Sequence, residues 1–302
     1  MRLRRLIAGL VLLAGCSLTA VGQKALERRA RALGFSQHAL DRGGERITWW
    51  SGGAGPAVVL LHGFGGDGIG TWQAQFSAFG AGHRVIIPDL LWFGGSRGFG
   101  PPTLSAQVAA VEAILAAESV SRADVVGISY GGFVALKLVD EHPERVDRMV
   151  IVDSPGPLFT TEEESAMLAR FGVGSAEDLF LPDTPEEVRS LLDLTWYKPL
   201  KLPRFILQDL LVNVFSANRE EQRLLLRDLQ AQRDVVTLPD LTGRPAPLVV
   251  WGRYDEVFPE EIGRRLADQM GAGFEVIDRT AHGPPIERPE VFNQIVLDYL
   301  GR

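Results

Sequence analysis

The stretch Gly127-Ile128-Ser129-Tyr130-Gly131-Gly132 decides the fold. It places a serine between two glycines, at the point where the apolar run 124–128 ends and a helical pattern begins. The glycines permit a tight, strained turn from strand to helix, and the N-terminus of the helix directs backbone N–H groups towards the serine. This context predicts a nucleophile elbow in which Ser129 attacks the substrate with the help of a general base.

Short β-branched runs and longer helical stretches alternate on both sides of this turn, from Arg46 onward. Such alternation is typical of βαβ units, and a continuously apolar run such as Val58-Val59-Leu60-Leu61 suits a strand covered on both faces. The pattern predicts an α/β fold with a mostly parallel eight-stranded sheet flanked by helices. The strands read from the sequence are residues 47–51, 57–62, 84–88, 124–128, 149–153, 248–252 and 274–278, and the helices are 71–79, 103–117, 130–141, 259–270 and 289–300.

The alternation stops between Pro155 and Leu241, where amphipathic helix patterns follow one another without a convincing strand. Within this stretch, Thr184-Pro185-Glu186-Glu187 combines an N-cap threonine with a first-turn proline, so a helix is expected to run from there to about Trp196. The chain is therefore predicted to form a core of residues 45–156 and 242–302 with an inserted helical cap of residues 157–241.

A base for Ser129 must come from five histidines. His282 lies in a Gly-Pro-Pro loop after the last expected strand, where its imidazole can cross the carboxyl edge of the sheet. The other four are interpreted as structural, with His62 second in line. The chain order Ser, Asp, His places the partner carboxylate between the serine and the histidine.

Asp255 fits that position best, because it lies in the turn after strand 248–252. Asp153, at the end of an earlier strand, stays open as an alternative, and Glu256 is interpreted as a surface acid. An oxyanion hole needs two backbone N–H groups, one after the nucleophile and one from the loop after an early strand. Here these belong to Tyr130 and to Phe64 in the glycine-rich loop 62–66.

The same loop raises the question of a nucleotide site. Gly63-Phe64-Gly65-Gly66-Asp67-Gly68 matches the G-x-G-x-x-G pattern, and Asp89 ends the next strand. A dinucleotide site would leave the elbow, Asp255 and His282 unexplained, so no cofactor is expected. The sequence contains no metal-ligand motif or phosphate-binding Walker loop, so no metal site is predicted.

Composition limits the class of protein. A chain of 302 residues with 46% hydrophobic side chains can bury a large core, which argues against disorder. The net charge of −7 offers no basic surplus for a phosphate backbone, so nucleic acid is not expected as a partner. A small-molecule or lipid substrate is expected instead, and the oligomeric state is not determined by the sequence.

The N-terminus has a basic start at residues 1–5 and an uncharged apolar run at residues 6–15, which is too short to span a bilayer. Leu13-Ala14-Gly15-Cys16 resembles the lipobox of bacterial lipoproteins. The resemblance implies a signal peptide of residues 1–15, acylation of Cys16, a tether and helix over 16–44, and a lipid-anchored protein of the cell envelope. Ser17 resembles the sorting pattern for the outer membrane. An ordinary signal peptide, or an apolar helix with an incidental cysteine, stays open as an alternative.

The elbow, the loop 62–66, Asp255 and His282, in this order, resemble the α/β-hydrolase superfamily over about residues 45 to 302. The elbow and residues 181–185 are similar to monoacylglycerol-lipase-like hydrolases with a helical cap. The resemblance implies a serine esterase or lipase that cleaves lipid esters through an acyl-Ser129 intermediate. A carbon–carbon bond hydrolase or an acyltransferase would use the same triad, and a non-catalytic lipid-binding protein is the alternative from another class. Ala281 and Tyr130 depart from the residues that many relatives have, which puts the identity of the substrate in doubt.

Overall fold

The structure is a computed structural model that describes residues 17–233 and 237–301. Its eight strands form one sheet in the order β1-β2-β4-β3-β5-β6-β7-β8. The pairs β1–β2 and β2–β4 are antiparallel, and all other pairs are parallel, which confirms the expected sheet. The strands are β1 (Ser36–Arg42), β2 (Glu45–Gly52), β3 (Ala57–Leu61), β4 (Arg84–Pro88), β5 (Ala123–Ile128), β6 (Val146–Val152), β7 (Leu248–Gly252) and β8 (Gly273–Ile277).

Helices cover both faces of the sheet. They are α1 (Leu18–Ala32), α2 (Gly68–Trp72), α3 (Phe76–Gly80), α4 (Leu104–Ala117), α5 (Tyr130–Glu141), α6 (Thr161–Phe171), α7 (Ala176–Phe180), α8 (Pro185–Thr195), α9 (Arg204–Leu210), α10 (Arg219–Gln232), α11 (Glu260–Met270), α12 (Pro284–Glu287) and α13 (Pro289–Leu300). A π-helical turn, Leu211–Phe215, continues α9. No helix in the described ranges combines the length and the apolar character needed to cross a membrane.

The strand β3 shows how the sheet is fixed between two hydrophobic layers. Val59 and Leu61 pack with residues of α4, α5 and α11, whereas Val58 and Leu60 pack with residues of α1, α2, α3 and α13. All four side chains are inaccessible to solvent. Burying each one contributes about 1.5–3 kcal/mol. The parallel strands are thereby held with their carboxyl ends at one edge.

Two details differ from the expectations. The strand β1 was not among the strands read from the sequence, because its exposed, polar residues carry no clear alternation. Gly43 and Gly44, with φ of +54° and +91°, turn it back onto β2, and a glycine pair between two strands is a hairpin signal. The segment 16–44 thus contains α1 and an edge strand. The single helix expected over 71–79 is wrong: α2 and α3 are separated at Gln75, whose buried amide donates to the carbonyl oxygen of Pro285 at 3.0 Å.

The stretch between β6 and β7 holds α6 to α10, and its described residues contain no strand. Thr184 caps α8 as expected, accepting the N–H of Glu187 at 3.2 Å, and that helix ends at Thr195. Side-chain amides of Asn218 and Gln222 both donate to the carbonyl oxygen of Trp92 at 2.9 Å, which joins this helical region to the core. The signal peptide expected at residues 1–15 and the acylation site expected at Cys16 lie outside the described residues.

Candidate active site

Ser129 lies between β5 and α5 in a backbone conformation that is rare for residues with a side chain. Its φ is +51° and its ψ is −118°, and its N–H donates to the carbonyl oxygen of Val152 at 2.9 Å. Such strain persists only where the surrounding structure enforces it, and it is common at functional sites. The serine is only half-buried, so its hydroxyl is accessible to a substrate.

The glycines of the elbow are required by close backbone contacts. A Cβ atom on Gly127 would lie 2.2 Å from the carbonyl oxygen of Gly131. A Cβ atom on Gly131 would lie 2.3 Å from the carbonyl oxygen of Leu61. Any side chain at either position would therefore push α5 away from the sheet, and with it the turn that carries Ser129.

Asp255 and His282 are hydrogen-bonded to each other. Because they follow β7 and β8, they lie at the same edge of the sheet as Ser129, which follows β5. The Nδ1 of His282 donates to the Oδ2 of Asp255 at 2.8 Å. The other oxygen of Asp255 accepts the N–H groups of Val257 at 2.8 Å and Phe258 at 3.0 Å. Because the Asp255 carboxylate is inaccessible to solvent and anchored on both oxygens, it fixes the tautomer of the imidazole and leaves Nε2 to accept a proton.

Asp153, the alternative acid, lies nearby but is bonded differently. It is fully buried at the end of β6, and its Oδ1 accepts the N–H of Gly252 at 2.7 Å. Its Oδ2 has no hydrogen-bond partner within the described residues. Oxygen and nitrogen atoms of Asp153, Asp255 and His282 lie within 4.8 Å of one another. Burial, together with the nearby Asp255 carboxylate, raises the pKa of Asp153 well above its usual range.

The glycine-rich loop after β3 lies against the nucleophile. A Cβ atom on Gly63 would be 3.3 Å from the Cβ of Ser129. The ring of Phe64 packs edge-on against the ring of Tyr130, with centroids 5.8 Å apart. Tyr130 is the first residue of α5, so its N–H has no preceding helical turn to bond with. The structure thus brings Phe64 and Tyr130 to Ser129, and their role as oxyanion donors stays a prediction.

His62 supports this loop and does not belong to the reacting groups. It is fully buried, and burial lowers its pKa, so the ring is neutral. Its Nδ1 donates to the carbonyl oxygen of Gly63 at 2.7 Å, and its Nε2 accepts the N–H of Leu90 at 3.0 Å. Both ring nitrogens are therefore used to hold the loop in place.

The residues of the dinucleotide-like pattern are also used for structure. Asp67 caps the five-residue helix α2. The carboxylate of Asp89 accepts the N–H groups of Gly68 and Gly95 and the hydroxyl of Thr48, each at 2.9 Å. Because these bonds occupy the oxygens of Asp89, the residue holds two loops together and is not directed towards a ribose.

Two cavities flank these residues. The first, of about 100 Å³, lies between α5 and the helical region 157–233 and has an almost entirely apolar lining. Two of its lining residues pack against residues of the active site. The ring of Phe180 lies 6.1 Å from that of Phe64, and the ring of Phe258 lies 5.5 Å from that of His282.

The second cavity, of about 430 Å³, begins at Gly65 and Gly66 of the loop after β3. Its lining mixes apolar side chains with amides and hydroxyls. Its one acidic lining residue is Asp67, whose pKa is raised to about 6 by burial and by the nearby Asp89 carboxylate. The polar residues of the lining are Gln23, Asp67, Thr71, Asn213, Asn218 and Gln222.

Sequence reasoning missed a residue that joins the histidine loop to the helical region. The carboxylate of Glu287 accepts the N–H of Ala281 at 2.7 Å and that of Tyr197 at 2.8 Å. The N–H of His282 itself donates to the carbonyl oxygen of Thr195 at 3.2 Å. Burial raises the pKa of Glu287. No local pattern marks this residue, since its partners are a loop neighbour and a segment 90 positions away.

Comparison with known proteins shows extended similarity. A family model described as the alpha/beta hydrolase family matches residues 58–295. The chain is 29% identical to a 2-hydroxy-6-oxo-6-phenylhexa-2,4-dienoate hydrolase of Comamonas testosteroni, over 84% of this chain and 91% of that protein. It is 30% identical to a 2-hydroxy-6-oxononadienedioate/2-hydroxy-6-oxononatrienedioate hydrolase of Paraburkholderia phymatum, over 88% of this chain and 94% of that protein.

Among solved structures, a bacterial membrane phospholipase A is 25% identical and superimposes with a TM-score of 0.75, over 99% of this chain and 98% of that one. These matches confirm the superfamily resemblance and a hydrolase activity, whereas membership of the monoacylglycerol-lipase-like group stays a prediction. Because the family model covers most of its length, the chain belongs to the alpha/beta hydrolase family.

Proposed function

We propose that this hydrolase cleaves carboxylic esters through Ser129, with His282 as the base and Asp255 as its partner. The observation that carries the proposal is the 2.8 Å contact between His282 and the buried Asp255, at the same edge of the sheet as the strained Ser129. A serine hydroxyl is a weak nucleophile at neutral pH, and a neighbouring imidazole that accepts its proton makes attack on a carbonyl feasible.

The reaction takes place in two halves. In the first, the Oγ of Ser129 attacks the ester carbonyl while Nε2 of His282 takes the hydroxyl proton, and the N–H groups of Phe64 and Tyr130 stabilise the oxyanion. The imidazolium then gives its proton to the departing alcohol, which leaves an acyl-Ser129. In the second half, water loses a proton to His282 and attacks the acyl group, and the serine regains its proton as the acid departs.

The charges around the two cavities favour an uncharged substrate. In the apolar cavity, the cationic side chains are Lys137 and Arg233. Lys137 is paired with Asp140 at 3.2 Å and Arg233 with Glu164 at 2.8 Å, so neither is left to bind a substrate anion. The lining of the second cavity combines apolar side chains with four amides, the hydroxyl of Thr71 and the carboxyl of Asp67. A neutral lipid ester fits this pair, with its acyl chain in the apolar cavity and a polar alcohol such as glycerol in the other.

The relatives favour cleavage of a carbon–carbon bond instead of an ester bond. The 6-oxo-dienoate named for the relative from Comamonas testosteroni contains no ester, so its hydrolysis at the ketone breaks a carbon–carbon bond. Ser129 would attack that ketone in the same way, and His282 would deliver the proton to the departing carbon. Similarity over most of both chains supports this second candidate, whereas the paired cations of the apolar cavity do not favour a carboxylate substrate.

Parallel assays separate the candidates. Wild type and Ser129→Ala are tested with p-nitrophenyl esters of increasing chain length, with monoacylglycerols, and with 2-hydroxy-6-oxo-6-phenylhexa-2,4-dienoate. We expect ester turnover in wild type and none in Ser129→Ala. Turnover of the dienoate alone would show that the enzyme cleaves a carbon–carbon bond and not an ester bond. Ester turnover that persists in Ser129→Ala would refute Ser129 as the nucleophile. No turnover of any of these substrates in wild type would leave a non-catalytic binding protein as the better description.

We also propose that Cys16 carries a lipid anchor that holds the enzyme in a bacterial cell envelope, at the outer membrane. The motif Leu13-Ala14-Gly15-Cys16 supports this, and several acyl chains would bind a membrane far more firmly than one. In cells, Cys16→Ser is expected to move the protein from the membrane fraction to the soluble fraction. An unchanged distribution would contradict acylation at this residue.

A further inference from the structure

The N-terminal helix α1 begins on the helical region that covers the core. The carboxylate of Asp209, near the end of α9, accepts the backbone N–H of Thr19 at 2.6 Å and also bonds with the hydroxyl of the same threonine. An acid at the N-terminus of a helix satisfies donors that have no partner inside the helix. This contact holds the first turn of α1 against α9.

Four large apolar side chains are exposed around this contact, and we name them the outer patch: Leu18, Val21, Phe205 and Val212. Leu18 and Val21 lie in the first turn of α1 and are 43% and 53% exposed. Phe205 and Val212 lie one helical turn on either side of Asp209, and both are 55% exposed. Ten large apolar side chains are exposed among the described residues, and four of the ten lie in the two segments that meet at this contact.

Other residues of the same two elements line the second cavity, next to the glycine-rich loop after β3. Gln23 of α1 lines it from one side, and Leu210 and Phe215 of α9 and its π-helical turn line it from another. The same cavity reaches Gly65, where a Cβ atom would be 3.2 Å from the ring of Phe215. The outer patch and part of the lining of the second cavity are therefore formed by the same two elements, α1 and α9 with its π-helical turn.

The sequence before α1 indicates what covers the outer patch. Cys16, the proposed site of the lipid anchor, stands two residues before Leu18 in the sequence. On α1, Val21 is followed at helical spacing by the exposed Lys24 and Arg28. An apolar cluster with adjacent cations is the pattern of a surface that lies at the boundary of acyl chains and anionic headgroups.

We propose that the outer patch docks on a phospholipid bilayer, with its apolar side chains in the headgroup region and Lys24 and Arg28 facing anionic lipids. Docking places the second cavity next to the membrane, so a lipid ester can pass from the bilayer towards Ser129. This delivery of substrate rests on the proposed function, whereas docking itself does not depend on turnover.

Vesicle binding tests the docking surface. The full chain with Cys16→Ser, which removes acylation, is sedimented with vesicles of phosphatidylcholine with and without phosphatidylglycerol. Adding Phe205→Asp and Val212→Asp is expected to lower the partition coefficient by about tenfold or more, because charged groups replace apolar contact area. Leu224→Asp, at an exposed apolar residue of α10, is the matched control and should bind like its parent. Equal binding by the patch variant and the control would overturn the proposal.

A fluorescence measurement separates the membrane from other occupants. Cys16 is the only cysteine, so in the Cys16→Ser background a cysteine introduced by Val212→Cys or by Leu224→Cys carries a polarity-sensitive dye at one site. Vesicles should shift the emission to the blue at position 212 and not at position 224. A shift that appears without vesicles as the protein concentration rises would show a second copy of the chain on the patch and would overturn membrane docking.

Hydrolysis of a soluble ester keeps this proposal separate from the proposed function. Phe205 and Val212 do not line either cavity, so their variants should hydrolyse the soluble ester at the rate of their parent. Loss of vesicle binding with full soluble activity supports docking. Full vesicle binding in an enzyme without esterase activity would leave docking intact and contradict the proposed function instead.

Discussion

Replacing Asp255 by asparagine should remove most of the catalytic power while leaving the fold intact. The carbonyl oxygen of the new amide can keep the two N–H donors of Val257 and Phe258, because these contacts need an acceptor. Its NH₂ group then faces the Nδ1 of His282. Two donors cannot bond to each other, so the imidazole moves its proton to Nε2 and can no longer accept the proton of Ser129.

The loss follows from the wrong tautomer. A substitution of this kind in a Ser-His-Asp triad lowers kcat by about 10⁴, which corresponds to about 5.5 kcal/mol of transition-state stabilisation at about 1.4 kcal/mol per tenfold. The assay is steady-state hydrolysis of a p-nitrophenyl ester near neutral pH, with the melting temperature measured alongside to show that the protein is folded.

Asp153→Asn is the matched control, because it makes the same change at the neighbouring carboxyl. The raised pKa of Asp153 favours its neutral form, which asparagine resembles, and the asparagine oxygen can still accept the N–H of Gly252. We expect activity within about tenfold of wild type, since the bond between Asp255 and His282 is kept. The reverse result, with Asp255→Asn nearly active and Asp153→Asn inactive, would refute the argument and make Asp153 the acid of the triad.

Three further changes test the geometry. Because the pKa of Asp153 is raised in the folded protein, its favourable contribution is full below the ordinary aspartate pKa of about 4 and is lost as the pH rises towards the folded pKa. The melting temperature of Asp153→Asn relative to wild type should therefore increase as the pH rises above about 4, and a difference that falls with pH would contradict the raised pKa. Gly127→Ala places a Cβ atom 2.2 Å from the carbonyl oxygen of Gly131, and such overpacking costs about 1–3 kcal/mol or more. We expect a lower melting temperature and little or no esterase activity. Wild-type values for both would show that the elbow can shift to make room. Glu287→Gln keeps one side-chain acceptor, whereas Glu287→Ala leaves the N–H of Tyr197 without its partner. The kcat should therefore fall more in the alanine variant than in the glutamine variant. Equal activity of wild type and both variants would show that this contact does not position the histidine loop.

The fold was accessible from the sequence where burial dictates the residues. The apolar runs of β3, β4, β5 and β7 could be read directly, because strands covered on both faces tolerate few polar side chains. The strand β1 was missed because it lies at the edge of the sheet and its exposed side chains are not constrained. The short interruption before α3 was missed, since no local pattern marks it; Gln75, next to it, bonds with Pro285, far along the chain.

The candidate site was accessible to a similar degree. Chain order and strand position selected Ser129, Asp255 and His282, and they placed Asp255 ahead of Asp153. What the sequence could not supply is the bonding of the two acids: the N–H groups of Val257 and Phe258 stabilise the Asp255 carboxylate, whereas burial raises the pKa of Asp153. The contacts of Glu287 join segments that are distant in sequence, and no local pattern encodes such a pairing.

The hydrogen bond from the N–H of His282 to the carbonyl oxygen of Thr195 has a kinetic consequence. Any opening that carries residues 195–197 away from the core must break this bond and the one from Tyr197 to Glu287. The loop that loses these bonds is the loop that aligns the imidazole. Admission of substrate by such an opening and alignment of the histidine therefore compete, and a molecule caught with the region open is poorly prepared for proton transfer. If substrate enters by such an opening, each turnover includes reclosure, and the rate of reclosure then sets an upper limit on kcat.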